Sequence, residues 1–116
     1  MIIFKEFTFD SAHQLPWHDG KCFNLHGHTY KLQVGFRGNP DPNGILMDFG
    51  KVKEIVNALI IEKYDHQLLN NHFVNPTAEL MARQFLSSLK EVNNGFSVVR
   101  LWETPTSYVE VSDEDL

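Results

Sequence analysis

Apolar and polar positions alternate with period two at the start of the chain. Ile3, Phe7 and Phe9 take one parity, while Phe4, Glu6, Thr8 and Asp10 take the other. Residues at i and i+2 of a strand share a face, so this pattern predicts a half-buried β-strand. The parity of Phe7 and Phe9 carries on through Ser11 to His13. A second alternating run places Tyr30, Leu32, Val34 and Phe36 on the face of His28 and sends Thr29, Lys31, Gln33 and Arg37 to the other. The run Gly38-Asn39-Pro40-Asp41-Pro42-Asn43-Gly44 is dense in turn formers and ends that strand. The period then changes. Val52, Ile55, Val56, Leu59 and Ile60 recur at a spacing of three and four, which predicts an amphipathic helix with Asp48 as N-cap and an end near Lys63. A second helix is expected to open at Asn75-Pro76, with Asn75 as cap and Pro76 at the first helical position. It would bury Ala78, Met81, Ala82, Phe85 and Leu89 and stop at Asn93-Asn94-Gly95. Residues 96–103 and 107–111 alternate again as strands around the turn Thr104-Pro105-Thr106. The expected class is α+β, with two helices on one face of a four-stranded antiparallel sheet in the order ββααββ.

Composition narrows the functional classes. The 116 residues suit one domain with a single core, short enough that a site may need a neighbouring subunit. A net charge of -5 and the lack of a basic stripe argue against nucleic acid and anionic membrane surfaces as partners. The first residues lack the basic and apolar regions of a signal peptide, and no stretch approaches the ~20 apolar residues of a membrane span, so a cytoplasmic location is expected. Cys22 is the only cysteine, which excludes an intramolecular disulfide and a Cys-rich structural zinc site.

The chemistry concentrates between Cys22 and His28. His26 and His28 flank Gly27 and point to one face if the segment is extended, and pairing with the first strand would bring His13 to them. Three neutral imidazoles make an open zinc site, with a position left for water or substrate. Taken singly, each histidine could equally be a hydrogen-bonded packing residue. Cys22 follows the polar stretch His18-Asp19-Gly20-Lys21, a setting that favours a thiolate. It is a candidate nucleophile or base, a fourth metal ligand, or a small buried hydrophobe. Asp65-His66 can form a proton relay, or His66 can simply complement the negative end of the first helix. Glu103 closes an apolar strip, where its carboxylate needs a partner: a cation, water, or the paired N–H donors of a heterocycle edge.

Taken together, Phe9-Asp10-Ser11-Ala12-His13, Cys22-x-x-x-His26-Gly27-His28, Asp65-His66, Asn75-Pro76-Thr77-Ala78-Glu79 and Trp102-Glu103-Thr104 resemble the 6-pyruvoyl-tetrahydropterin synthase family over nearly the whole chain. The three-residue gap between Cys22 and His26 looks like the 6-carboxytetrahydropterin synthase branch, which acts in 7-deazaguanine (queuosine) synthesis. The resemblance implies a tunnelling fold (T-fold), in which trimers join sheets around a barrel and two trimers stack into a homo-hexamer. It implies Zn2+ on His13, His26 and His28, a catalytic Cys22, an Asp65-His66 relay, and Glu103 anchoring a pterin with help from Thr77. The implied substrate is 7,8-dihydroneopterin triphosphate. A sister enzyme making 6-pyruvoyl-tetrahydropterin, or a non-catalytic zinc or pterin-binding protein, would use the same scaffold.

Overall fold

A computed structural model describes all 116 residues. Strand β1 (Ile2–His13) pairs antiparallel with β2 (His26–Arg37) in a register that sets Phe9 opposite Tyr30, Ser11 opposite His28 and His13 opposite His26. After β2, the Asp41 carboxylate accepts from the amides of Asn43 and Ile45, closing the predicted turn. The first helix, α1, starts at Phe49–Val56, continues through a π-helical stretch at Asn57–Ile61 and closes with a turn at Glu62–Tyr64. Asp48 is its N-cap, accepting from the Gly50 amide at 2.7 Å. The π stretch has a sequence cause. The buried residues Val52, Val56, Ile60 and Tyr64 stand four apart. An α-helix would rotate each by about 40° from the last, and the wider π turn brings them back onto one face.

A short strand β3 (Gln67–Leu68) follows, and the second helix, α2 (Ala78–Val92), precedes β4 (Phe96–Thr104) and β5 (Ser107–Ser112). The sheet order is β3-β1-β2-β4-β5. The four long strands are antiparallel as expected; β3 adds a two-residue parallel edge against Ser11 and Ala12 that no periodicity announces. The cap of α2 also differs from expectation. Thr77, not Asn75, caps it by accepting from the Leu80 amide at 3.3 Å, while the Asn75 side chain accepts from Trp17 Nε1 at 2.9 Å. Proline disfavours helical backbone at the residue before it, so Asn75-Pro76 leads into the helix and leaves the cap to Thr77.

One core joins the sheet to the helices. All five apolar positions predicted for α2 are buried, with Leu86 added, and they pack with Val52, Val56 and Ile60 against Leu32, Val34, Phe36, Val99 and Leu101. The opposite sheet face carries polar and aromatic pairs, including Arg100 with Glu110 and Trp102 stacked on Tyr108. No helix is long and apolar enough to cross a membrane.

Candidate active site

The β1–β2 register decides the site. Because His13 sits opposite His26 and Ser11 opposite His28, the three predicted imidazoles meet on the helix-covered face. His13 Nε2 lies 3.0 Å from His26 Nε2 and 3.1 Å from His28 Nε2. His13 is fully buried and donates its Nδ1–H to the Pro76 carbonyl at 2.8 Å, and His26 donates Nδ1–H to the Asn24 carbonyl at 2.7 Å. A carbonyl only accepts, so the ring nitrogen facing it carries the proton and the other bears a lone pair. In the neutral rings the two Nε2 lone pairs therefore face each other at 3.0 Å. A cation among them removes that repulsion. Four-coordinate zinc, with ligand nitrogens at about 2.0–2.1 Å, would hold them about 3.3 Å apart, close to the spacing present. Burial, followed by the neighbouring imidazoles of His13 and His26, pushes His28 down to about 4. Its ring is thus neutral and able to ligate well below the ordinary histidine range.

Cys22 lies outside the group of mutually close ligand atoms, which consists of His13, His26 and His28. The three imidazoles thus form this group without the thiol. Cys22 is half-buried in a single helical turn (Lys21–Phe23), tied to β1's end by its carbonyl, which accepts from the Leu15 amide at 2.8 Å. Tyr30, fully buried and stacked on Phe9, floors the cluster with its ring 5.5 Å from that of His28. Burial first, then the charges of Glu103 and Cys22, push the Tyr30 hydroxyl up.

Glu103 takes part in none of the protein's ion pairs. It lines a cavity of about 480 Å³ with His28, Lys31 and Trp102. The opening exists because β2 and β4 stop pairing at Lys31–Trp102, so residues 26–30 of β2 part from β4. Lys31 lies over the Trp102 ring at 4.2 Å and brings a cation to this cavity. The sequence reading missed it, since on an alternating strand its position looks like ordinary solvated surface.

Asp65 and His66 form a second centre. The Asp65 carboxylate accepts from His66 Nδ1 at 2.9 Å through one oxygen and from the Asp10 amide at 2.9 Å through the other. Those bonds, the backbone one first, hold the Asp65 carboxyl below the usual carboxylate range. His66 has a 78% exposed side chain and a left-handed backbone, with φ 56°. It shares an open groove of about 550 Å³ with His28, Asp10 and Thr29. Asp10 and Thr29, whose hydroxyl donates to the Asp10 carboxylate, were also not foreseen as site residues. Thr77 is occupied as the cap of α2, next to Pro76, whose carbonyl fixes His13.

Known proteins share this arrangement of chain. The family model for 6-pyruvoyl tetrahydropterin synthase matches residues 2–114. The 6-carboxy-5,6,7,8-tetrahydropterin synthase of Haemophilus influenzae is 41% identical, covering 96% of this chain and 98% of the relative. The protein of the same name from Synechocystis is 37% identical over 91% of this chain and 88% of its own length. The solved structure of Caenorhabditis elegans 6-pyruvoyl tetrahydropterin synthase superposes with a TM-score of 0.86 at 27% identity, covering 97% of this chain and 94% of that one. Motif order, sheet topology and these likenesses over nearly the full length lead to one conclusion: the chain belongs to the 6-pyruvoyl tetrahydropterin synthase family.

Proposed function

We propose that this chain is a zinc-dependent 6-carboxy-5,6,7,8-tetrahydropterin synthase. It converts 7,8-dihydroneopterin triphosphate and water to 6-carboxy-5,6,7,8-tetrahydropterin, acetaldehyde and triphosphate, a step of 7-deazaguanine (queuosine) synthesis. The observation that carries the reading is the convergence of three imidazoles beside the cavity of an unpaired Glu103. The names of the relatives from Haemophilus and Synechocystis supply the branch.

His13, His26 and His28 would hold the zinc. Bound there, it supplies Lewis acidity toward the hydroxyl groups of the substrate side chain. Glu103 accepts the two N–H donors of the pterin's amino-pyrimidinone edge, which sets the ring in the cavity. Thr77 Oγ1 accepts from Leu80, so its own proton remains free to help hold the pterin. The Cys22 thiolate removes a proton from the side chain. His66, its Nδ1–H fixed by Asp65, exchanges a proton at the opposite ring nitrogen. With the pterin edge, zinc and base each held by separate residues, proton removal and loss of triphosphate need no redox cofactor.

The outer edges of β1 and β5 lack strand partners except where β3 covers Ser11 and Ala12. They suit sheet continuation between subunits into the homo-hexamer of stacked trimers. The exposed His66 then lies where a neighbouring subunit can share the site.

The test is to incubate the zinc-loaded protein with 7,8-dihydroneopterin triphosphate, follow products by mass spectrometry, and run a chelated sample in parallel. A 6-carboxytetrahydropterin mass with acetaldehyde, abolished by chelation, is the expected result. A 6-pyruvoyl product would move the chain to the activity named for the Caenorhabditis structure, and bound but unconverted substrate would sink the enzymatic reading. Cys22→Ala should keep zinc and fold while losing turnover; parallel loss of metal would make Cys22 a ligand.

A further inference from the structure

His66 is the one non-glycine residue with a positive φ, at 56°. Such a backbone is disfavoured for side chains with a Cβ and persists only when its surroundings over-determine it. Here the surroundings, beside the β1–β3 pairing that begins at Gln67, are three ties from two neighbouring residues of β1. The His66 amide donates to the Asp10 carbonyl at 2.6 Å, and the Asp10 amide donates to Asp65 Oδ1 at 2.9 Å. The third tie is the Ser11 hydroxyl, which donates to the Tyr64 carbonyl.

That carbonyl belongs to the last turn of α1, where carbonyls lack partners within the helix. The first two ties use β1's backbone and survive any change of β1 side chain. The third depends wholly on Ser11. Its position is out of pattern, since Phe7 and Phe9 precede it on the core-facing parity and it is only 6% exposed. Packing alone would be met by an apolar residue; the hydroxyl is spent on the Tyr64 carbonyl. Without it a buried carbonyl is left unpaired. The helix end can then shift away from β1, and His66 can relax and carry its imidazole out of the groove it shares with His28.

We propose that Ser11 is the positioning residue of the Asp65–His66 dyad, pinning the turn that presents the His66 imidazole. The inference rests on the relay role given to that dyad above. Ser11→Ala should lower kcat by about tenfold with KM changed by less than about twofold, because a displaced proton-transfer group affects the chemical step more than binding. Zinc content and far-UV circular dichroism should stay as in the unaltered protein, and Ser11→Thr, which keeps a hydroxyl, should restore most of the rate. In a His66→Ala background the Ser11→Ala change should have no further effect on kcat, since Ser11 acts through the imidazole. Amide hydrogen exchange gives a readout independent of turnover: His66 and Gln67 should exchange faster in Ser11→Ala, with Leu32 and Val34 unchanged. Unchanged exchange at His66 would overturn the clamp. A rate loss that persists in the His66→Ala background would overturn its link to the dyad. An unaltered protein without turnover would instead defeat the function proposed above, and the exchange contrast would still decide the clamp.

Discussion

The two histidine-bearing centres of this protein are built in opposite ways. His13, His26 and His28 sit on two twelve-residue strands paired along their whole length, and two of the three rings are fixed by backbone carbonyls. Asp65 and His66 sit on a turn after a helix, Asp65 half-buried and His66 exposed and in a disfavoured backbone conformation, and are held where β1 touches them. Regular backbone with buried partners gives the fixed geometry a metal site needs. A turn at the sheet's edge leaves the His66 imidazole open to the groove, and an exposed turn has fewer contacts to hold its shape.

The comparison can be broken at either centre. The largest effect is expected from His28→Ala, which removes a ligand from the rigid cluster: zinc should be lost and turnover should drop to background. Full metal content in that variant, measured by elemental analysis, would take His28 out of the site. Next comes His66→Ala, where turnover should fall about 10²- to 10³-fold, the scale of general acid–base catalysis, while zinc stays. Loss of metal there would mean that the two centres are not separable. Glu103→Gln should be milder, weakening pterin affinity by about tenfold to a hundredfold, as expected for losing a charge-assisted hydrogen bond. Fluorescence titration with a pterin gives that number, and an unaltered affinity would return Glu103 to a structural role.

The smallest effect is a pH dependence of the metal-free protein. His28 titrates at about 4 in the folded chain against 6.5 ordinarily, so between these values the unfolded chain holds a proton that the folded chain does not. Stability from this source is present above 6.5 and is lost as pH falls toward about 4. Asp65, with its lowered carboxyl, adds a loss of the same sign as pH falls. The Tm should drop by a few degrees across that window, and His28→Asn should flatten the slope there, since the Asp65 loss sets in lower, as pH falls below the ordinary 3.8. Identical slopes in the two proteins would show that His28 is not held neutral by folding.

How far the site was legible depends on whether local period or distant contact sets a residue's place. Alternation put His13 on the face of Phe9 and put His26 and His28 on the face of Tyr30, because a strand's two-residue period needs no partner to be read. The same reasoning gave both helices, with Asp48 as the first cap, and the buried stripe of the second; in the first, Val52, Val56 and Ile60 are buried while Ile55 and Leu59 are only partly so. It missed the shift of the second cap to Thr77, the π stretch in α1 and the strand β3. The first two follow from local signals passed over, Pro76 and the four-residue spacing of the buried stripe, whereas β3 exists only through its pairing with β1, far along the chain.

The sequence by itself determined which side chains share a face and which chemistry they can offer: three imidazoles, one thiol, a carboxylate at a strand end and an adjacent Asp–His pair. Tertiary structure alone decided the register that sets His13 against His26, the Pro76 carbonyl that orients the His13 ring, the notch where β2 leaves β4, and the ties that hold His66. The physical reason is range. Periodicity is a property of neighbouring residues, whereas register, tautomer and strain depend on groups that meet only when the chain has packed.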